Sequence, residues 1–188
     1  MFGRDYAATL RAHNVSTLDD RVRLIRRLIW WGEAAFDKRV SPNDGGGIHD
    51  PRLRELGLEV TRGCRARDDV CELQSIYDFV RRNVRYTGDI SMKDTFQSAW
   101  RTFQMAGGDC DDHVTANAVL AAVNGFQSKA RITSNTGASW DHIYCLVGVP
   151  KHAPRKWMIL DTTLPGNRFN QQPPFAKHRD FDLDPISR

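Results

Sequence analysis

The stretch Gly107-Gly108-Asp109-Cys110-Asp111-Asp112-His113 stands immediately ahead of an apolar run ending at Val123, and the architecture is organised around that junction. An aspartate-rich turn before such a run marks a helix start, because carboxylates accept from the unpaired first amides and suit the positive end of the helix dipole. A cysteine at that junction presents its sulfur where a thiolate is favoured, as a nucleophile requires. The glycines let backbone approach closely, so Gly108 is a candidate substrate-binding position and the nearby amides are candidate oxyanion donors. The three flanking aspartates oppose thiolate formation by charge, so an imidazole brought from elsewhere must activate Cys110.

Two segments further along can supply the partners. Trp140-Asp141-His142-Ile143-Tyr144-Cys145-Leu146-Val147 and Trp157-Met158-Ile159-Leu160-Asp161-Thr162-Thr163 are apolar and β-type, and each carries one chemically active side chain at its end. His142 is the candidate base and Asp161 the carboxylate that orients it, completing a nucleophile, base and orienter. His113 is the rival base. It lies three residues after Cys110 on the same helix and has no separate scaffold from which to reach the sulfur. Trp140, beside His142, is a candidate for shielding the site and contacting substrate.

Around these motifs the chain reads as helices followed by strands. Thr17 to Phe36 forms a first helix capped by Ser16 or Thr17, and Ser41-Pro42-Asn43-Asp44-Gly45-Gly46-Gly47 reads as a flexible loop and the clearest break. A short helix opens with Pro51. Asp68 or Asp69 begins a longer one to Arg82, with Val70, Leu73, Ile76, Tyr77 and Val80 as its buried stripe. Val84 to Tyr86 is extended, Thr95 to Met105 is helical, and Asp111 to Val123 is the best helix, stopped at Gly125. Lys129 to Thr133, His142 to Val149 and Lys156 to Leu160 are strands. From Pro165 onward there is no periodicity, and the expectation is a tail that wraps the surface or stays mobile. The fold class is therefore α+β, a nucleophile helix packed on an antiparallel sheet, with residues 1–60 as an N-terminal helical extension and 61–188 as the catalytic domain.

The totals fit this frame. A chain of 188 residues, 40% hydrophobic and 27% charged, has the composition of a globular protein. No apolar run approaches the roughly 18 residues of a membrane span. Met1 to Thr9 is interrupted too soon by Arg4 and Asp5 for a signal peptide, which makes a cytoplasmic location the default. The net charge of +4 is too mild to indicate nucleic acid. Arg21, Arg23, Arg26 and Arg27, interleaved with apolar residues, read as the solvated face of an amphipathic helix, with partner docking as the sharper alternative. The four cysteines lack the close pairs of a zinc site, so neither a metal nor a cofactor is expected. Cys64 and Cys71, about 10 Å apart on a continuous helix, are too distant for a disulfide unless the chain bends between them. Free structural thiols are expected for both and for Cys145.

The G-G-D-C-D-D turn, the W-D-H-I-Y strand and the W-M-I-L-D-T-T strand together resemble the three motifs of the transglutaminase-like superfamily, over roughly Asp68 to Thr163. The resemblance implies a papain-like fold with Cys110, His142 and Asp161 as its triad. Phe96-Gln97-Ser98 through Cys110 is similar to phage- and prophage-encoded members. Gln104, six residues before the cysteine, holds the offset of the papain-like oxyanion glutamine, and Gln97 and Trp100 are further donor candidates. The implied activity is cysteine-dependent hydrolysis of a peptide or isopeptide through a thioester. Glutamine deamidation or transamidation uses the same residues, and a non-catalytic structural or adaptor protein of a phage particle is the alternative from another class. A protein or peptide substrate is the expected partner. The phage likeness adds a virion or assembly partner reached through the N-terminal helix, and with it a virion-associated location.

Overall fold

The computed structural model describes residues 15–88 and 95–184. Met1 to Thr9 and His13 lie outside the described residues. Helix α1 spans Leu18–Trp31, with the Thr17 side chain capping it by accepting from the Asp20 amide and Val22, Ile25, Leu28 and Ile29 buried. It ends five residues earlier than its pattern predicts, because Gly32 turns to φ +56 and the chain continues as a 3-10 turn, Gly32–Ala35. A side chain at Gly32 would collide with the Gly45 carbonyl.

The Gly45 to Gly47 segment is a packed connection, not the flexible loop its composition suggests. All three glycines are buried. Glu33 donates its amide to the Gly45 carbonyl at 2.7 Å, and Ile48 donates to Ile29 at 2.8 Å. At Gly46, φ is +76 and a Cβ would sit 2.8 Å from both Ser98 Oγ and Trp100 Cβ. Glycine is needed there for close approach as well as for conformation.

Helix α2 (Pro51–Thr61) is capped by Asp50, and α3 (Asp69–Asn83) by Asp68. Between them the chain bends, and Cys64 and Cys71 form a disulfide with a Cα–Cα distance of 5.7 Å. The expectation of free thiols at these positions is thus corrected: α2 has ended before Cys64, so the spacing of a continuous helix does not apply. Cys145 is a free, buried thiol. On α3, Leu73, Ile76, Tyr77 and Val80 are buried as the periodicity predicts, whereas Val70 is 49% exposed because it lies on the outer face of the first turn.

Strand β1 (Arg85–Tyr86) pairs in parallel with β2 (Gly107–Gly108), Tyr86 opposite Gly108, which pins the glycine turn from one side. Helix α4 (Ala99–Met105) leads into that turn through Ala106, which adopts a left-handed conformation. Helix α5 (Cys110–Val123) is the axis of the protein, buried on every face from Asp111 to Ala121. Helices α1 to α4 all pack on it, as does the sheet. The N-terminal helices therefore share one continuous core with α5 and with the sheet that carries His142.

The sheet has the order β5-β4-β3-β6, antiparallel throughout, from β3 (Ser128–Ser134), β4 (His142–Val149), β5 (Lys156–Leu160) and β6 (Lys177–Asp182). Central strand β4 is buried on both faces. Ile143, Cys145 and Val147 join the main core. Tyr144 and Leu146 join a second cluster with Ile159. Strand β6 corrects the expectation of an aperiodic tail from Pro165 onward. It is a charged edge strand, held to β3 by backbone pairing and by Arg131, whose guanidinium donates to both Asp180 oxygens at 2.7 Å. Edge strands need no alternating apolar face, and this one shows none.

Candidate active site

Cys110 is the first residue of α5, and its neighbours are held by side chain to backbone bonds. Asp109 Oδ1 accepts from the amides of Asp111 (3.0 Å) and Asp112 (3.2 Å), while Asp112 Oδ2 accepts back from the Asp109 amide at 3.2 Å. This reciprocal capping box satisfies the helix start and fixes the turn. Gly108 is glycine for space, since a Cβ there would lie 2.5 Å from Asp112 Cβ. The Cys110 amide, at the first helical position, has no intrahelical acceptor and is an available donor.

His142 opens β4, where pairing with Thr133 fixes its backbone. Its Nε2 lies 3.0 Å from Asp161 Oδ2 and 3.4 Å from Thr163 Oγ1. With Nε2 bound to the carboxylate, Nδ1 is the nitrogen left for proton transfer. Asp161 is buried just beyond β5 and further held by the Thr163 hydroxyl at 2.6 Å, the Thr163 amide at 3.2 Å and Asn167 Nδ2 at 3.1 Å. Burial works to raise the Asp161 carboxyl, yet the hydrogen bond and charge of His142, with the Thr163 contacts, outweigh it and hold the group below the ordinary carboxylate value.

Cys110, His142, Trp140, Asp109 and Arg21 all line one cavity of about 290 Å³. The structure thus brings the predicted nucleophile, base and neighbouring tryptophan to a common space. Lys177 Nζ lies 4.7 Å from the centre of the Trp140 ring, which covers one wall. Burial pushes the Cys110 thiol well above its usual pKa, and the Asp111 and Asp109 charges add to that; Arg21 and the Ile143 backbone amide favour the thiolate. His113 is placed elsewhere. Its ring is buried, with Nδ1 2.8 Å from Thr162 Oγ1, and burial lowers its pKa to about 4.

The glutamine and tryptophan donor candidates fall outside this cavity. Gln97 lies behind the turn, where its Nε2 donates to Asp112 Oδ2 at 2.8 Å and to the Gly107 carbonyl at 3.3 Å, so it braces the capping box. Gln104 is exposed on α4. Trp100 lines a separate cavity against α2, stacked under Arg52 at 4.5 Å. A residue the sequence reading missed is Arg21. It points inward from α1 and pairs with Asp111, which is 1% exposed. The other arginines of α1 also serve the fold in part, Arg26 donating to the Asp182 carbonyl and Arg27 to the Ala35 carbonyl. The expected solvated arginine face is corrected in part: Arg23 and Arg27 are exposed, whereas Arg21 and Arg26 are half-buried. Asn167 was missed as well, because it lies in the aperiodic segment after Asp161.

Asp109, Cys110 and Asp111 place possible metal-ligand atoms within 4.8 Å of one another. Asp109 is spent on the helix cap and Asp111 on Arg21, so the donor set suits a charge-balanced helix start. No helix among the described residues is long and apolar enough to cross a membrane.

Comparison with known proteins decides the family. Residues 54–162 match the family model described as Transglutaminase-like superfamily, more than half of the chain. The chain belongs to the transglutaminase-like superfamily. The matched span runs from α2 to just past Asp161, so α1 and Arg21 lie outside it. Among solved structures, a candidate protease from Parabacteroides distasonis aligns over 96% of this chain at 9% identity with a TM-score of 0.58, a likeness of fold. A candidate cysteine protease from Cytophaga hutchinsonii aligns over 75% at 15% identity and TM-score 0.49, and a structure described as a TGase over 85% at 16% and 0.43. The chain spans 34%, 54% and 37% of those three proteins, respectively. A comparison with curated proteins finds no match. Membership in this transglutaminase-like family supports cysteine-dependent catalysis in general terms.

Proposed function

We propose that this protein hydrolyses peptide or isopeptide bonds through a thioester on Cys110. The observation that carries the reading is the shared cavity of Cys110 and His142, with His142 Nε2 held by Asp161 at 3.0 Å so that Nδ1 remains for the sulfur's proton. The Cys110 sulfur attacks the amide carbonyl as its proton passes to His142. The imidazolium then protonates the leaving nitrogen, and the C–N bond breaks to give the thioester. Water attacks the thioester with His142 as base, the C–S bond breaks, and the proton returns to the sulfur. Because burial and two aspartates disfavour a resting thiolate, proton transfer accompanies attack in this scheme. The Cys110 amide is the available donor to the developing oxyanion.

Glutamine deamidation or transamidation would use the same triad, with ammonia leaving and water or an amine entering. The buried pairing of His142 with Asp161 favours a catalytic reading over that of an inert adaptor, since a scaffold has no use for an oriented imidazole beside a thiol. A phage setting rests on the likeness of residues 96–110. The Cys64–Cys71 bridge is a kind of cross-link that persists in oxidising surroundings, and it favours a site of action there over the cytoplasm.

Incubation with a casein peptide mixture tests the reading. New peptide N-termini are expected, and Cys110→Ala is expected to abolish them. Ammonia release without new N-termini would favour deamidation, incorporation of added putrescine would favour transamidation, and products that persist in Cys110→Ala would overturn the mechanism.

A further inference from the structure

A second cavity, of about 330 Å³, adjoins the first and shares Tyr86, Asp141 and His142 with it. Cys110 lines only the first. The imidazole therefore stands between two chambers, one containing the sulfur and the other beyond it. The far chamber is walled by Tyr86, Leu164, Pro165, Pro173 and Pro174, with Asp141 as its charged rim residue. Tyr86 and Leu164 are among the large apolar side chains that the fold leaves exposed, at 51% and 38%, and both face this chamber. Each is fixed by a rigid neighbour: Tyr86 by its pairing with Gly108, Leu164 by its position directly after Thr163, whose hydroxyl is bound to Asp161.

Resting on the reading of Cys110 and His142 as nucleophile and base, we propose that this far chamber is the subsite of the amine partner in acyl transfer, leaving or entering, and that Tyr86 and Leu164 select amines with an apolar side chain. The acyl carbon must bond to the sulfur, so the acyl group occupies the chamber that Cys110 lines. The amine nitrogen meets His142 Nδ1 in the chamber of the sulfur, and the rest of the amine, directed away from the acyl group, passes along Tyr86, Asp141 and His142, the residues common to both cavities, into the far one. An entering amine reverses the path of a leaving one and uses the same place. Apolar walls reward an aliphatic or aromatic side chain there, while an acidic one would meet Asp141.

The test uses the whole protein and a small acyl group, which keeps acyl preference out of the measurement. p-Nitrophenyl acetate converts Cys110 to its acetyl thioester with release of p-nitrophenolate, and an added amine then attacks the carbonyl. A C–N bond forms, the C–S bond breaks, and His142 carries the amine proton to the sulfur. Intact mass follows the loss of the acetyl group with leucinamide, glycinamide or aspartic acid α-amide. Leucinamide is expected to deacylate wild type about tenfold or more faster than glycinamide, with aspartic acid α-amide no faster than glycinamide. In Leu164→Ser, and separately in Tyr86→Ser, the ratio of leucinamide to glycinamide is expected to fall towards one. Equal rates in wild type, or a ratio that survives in both variants, would overturn the proposal. Failure of Cys110 to acetylate would instead overturn the nucleophile assignment, and the subsite would fall with it.

Discussion

Arg21, on the first helix, pairs with Asp111, the residue directly after the proposed nucleophile, across a separation of 90 residues in the chain. Asp111 is 1% exposed, so Arg21 is the charge that makes a buried carboxylate tolerable beside Cys110. Removing one partner of such a pair leaves a buried charge behind, at a cost of about 3 kcal/mol. Arg21→Ala is therefore expected to lower the urea midpoint. Because Arg21 also favours the thiolate, its loss should move the pH profile of Cys110 alkylation to higher pH. Arg21→Lys should restore part of both. An unchanged profile in a folded Arg21→Ala protein would remove α1 from the site.

Asp161 is expected to matter more for turnover than for folding. Asp161→Asn keeps the shape but loses the charge that holds the imidazole, and peptide turnover should fall about a thousandfold or more. Asn167→Ala removes one hydrogen bond to the same carboxylate, an effect of about 1 kcal/mol, or roughly fivefold in rate. Steady-state rates on one peptide substrate check both. Similar losses in the two variants would contradict the ranking.

His113 makes acid stability predictable. Burial lowers its pKa from 6.5 to about 4, so the unfolded chain binds this proton more readily than the folded one. The stability concerned is fully present above about pH 6.5 and is lost as pH falls towards 4, amounting to about 3 kcal/mol. Asp161, held below the ordinary carboxylate value of 3.8, gives way only at lower pH. Urea midpoints at pH 7, 5.5 and 4 should decline through that window, and His113→Gln should flatten the decline. A slope unchanged by the substitution would assign the acid sensitivity elsewhere.

The Cys64–Cys71 bridge closes a short loop between α2 and α3. Its reduction should cost about 2 kcal/mol, chiefly by releasing the unfolded chain. Thermal melts with and without a reductant would show a lower Tm on reduction, and Cys64→Ser/Cys71→Ser should match the reduced protein. Identical melts would contradict a structural role.

What could be read from the chain, and what could not, follows from the physics of each element. The boundaries of β4 and β5 and the start of α5 were legible because apolar runs and a capping turn are local signals. Strand β6 was not, since Lys177 to Asp182 form a charged edge held by a neighbour's backbone. The packed Gly45 to Gly47 turn has the composition of a flexible loop, and only its contacts with Ser98 and Trp100 show why glycine is required. His142 and Asp161 stood out as active side chains at strand ends. Arg21 did not, because an inward-facing arginine on an amphipathic helix looks the same in sequence as a solvated one. The placement of Gln97 and Gln104 outside the Cys110 cavity was not legible for a related reason: offset along the chain does not say which side of the turn a side chain will occupy.

Alkylation of the unreduced protein by iodoacetamide measures whether His142 activates Cys110. Cys64 and Cys71 are joined, and burial pushes the Cys145 thiol up to about 12, so Cys110 should be the modified residue. General-base assistance is worth about a hundredfold or more, and His142→Ala should slow modification of Cys110 by that factor at pH 7 while His113→Gln leaves it within about threefold. Equal rates in wild type and a folded His142→Ala protein, or modification centred on Cys145, would contradict the account.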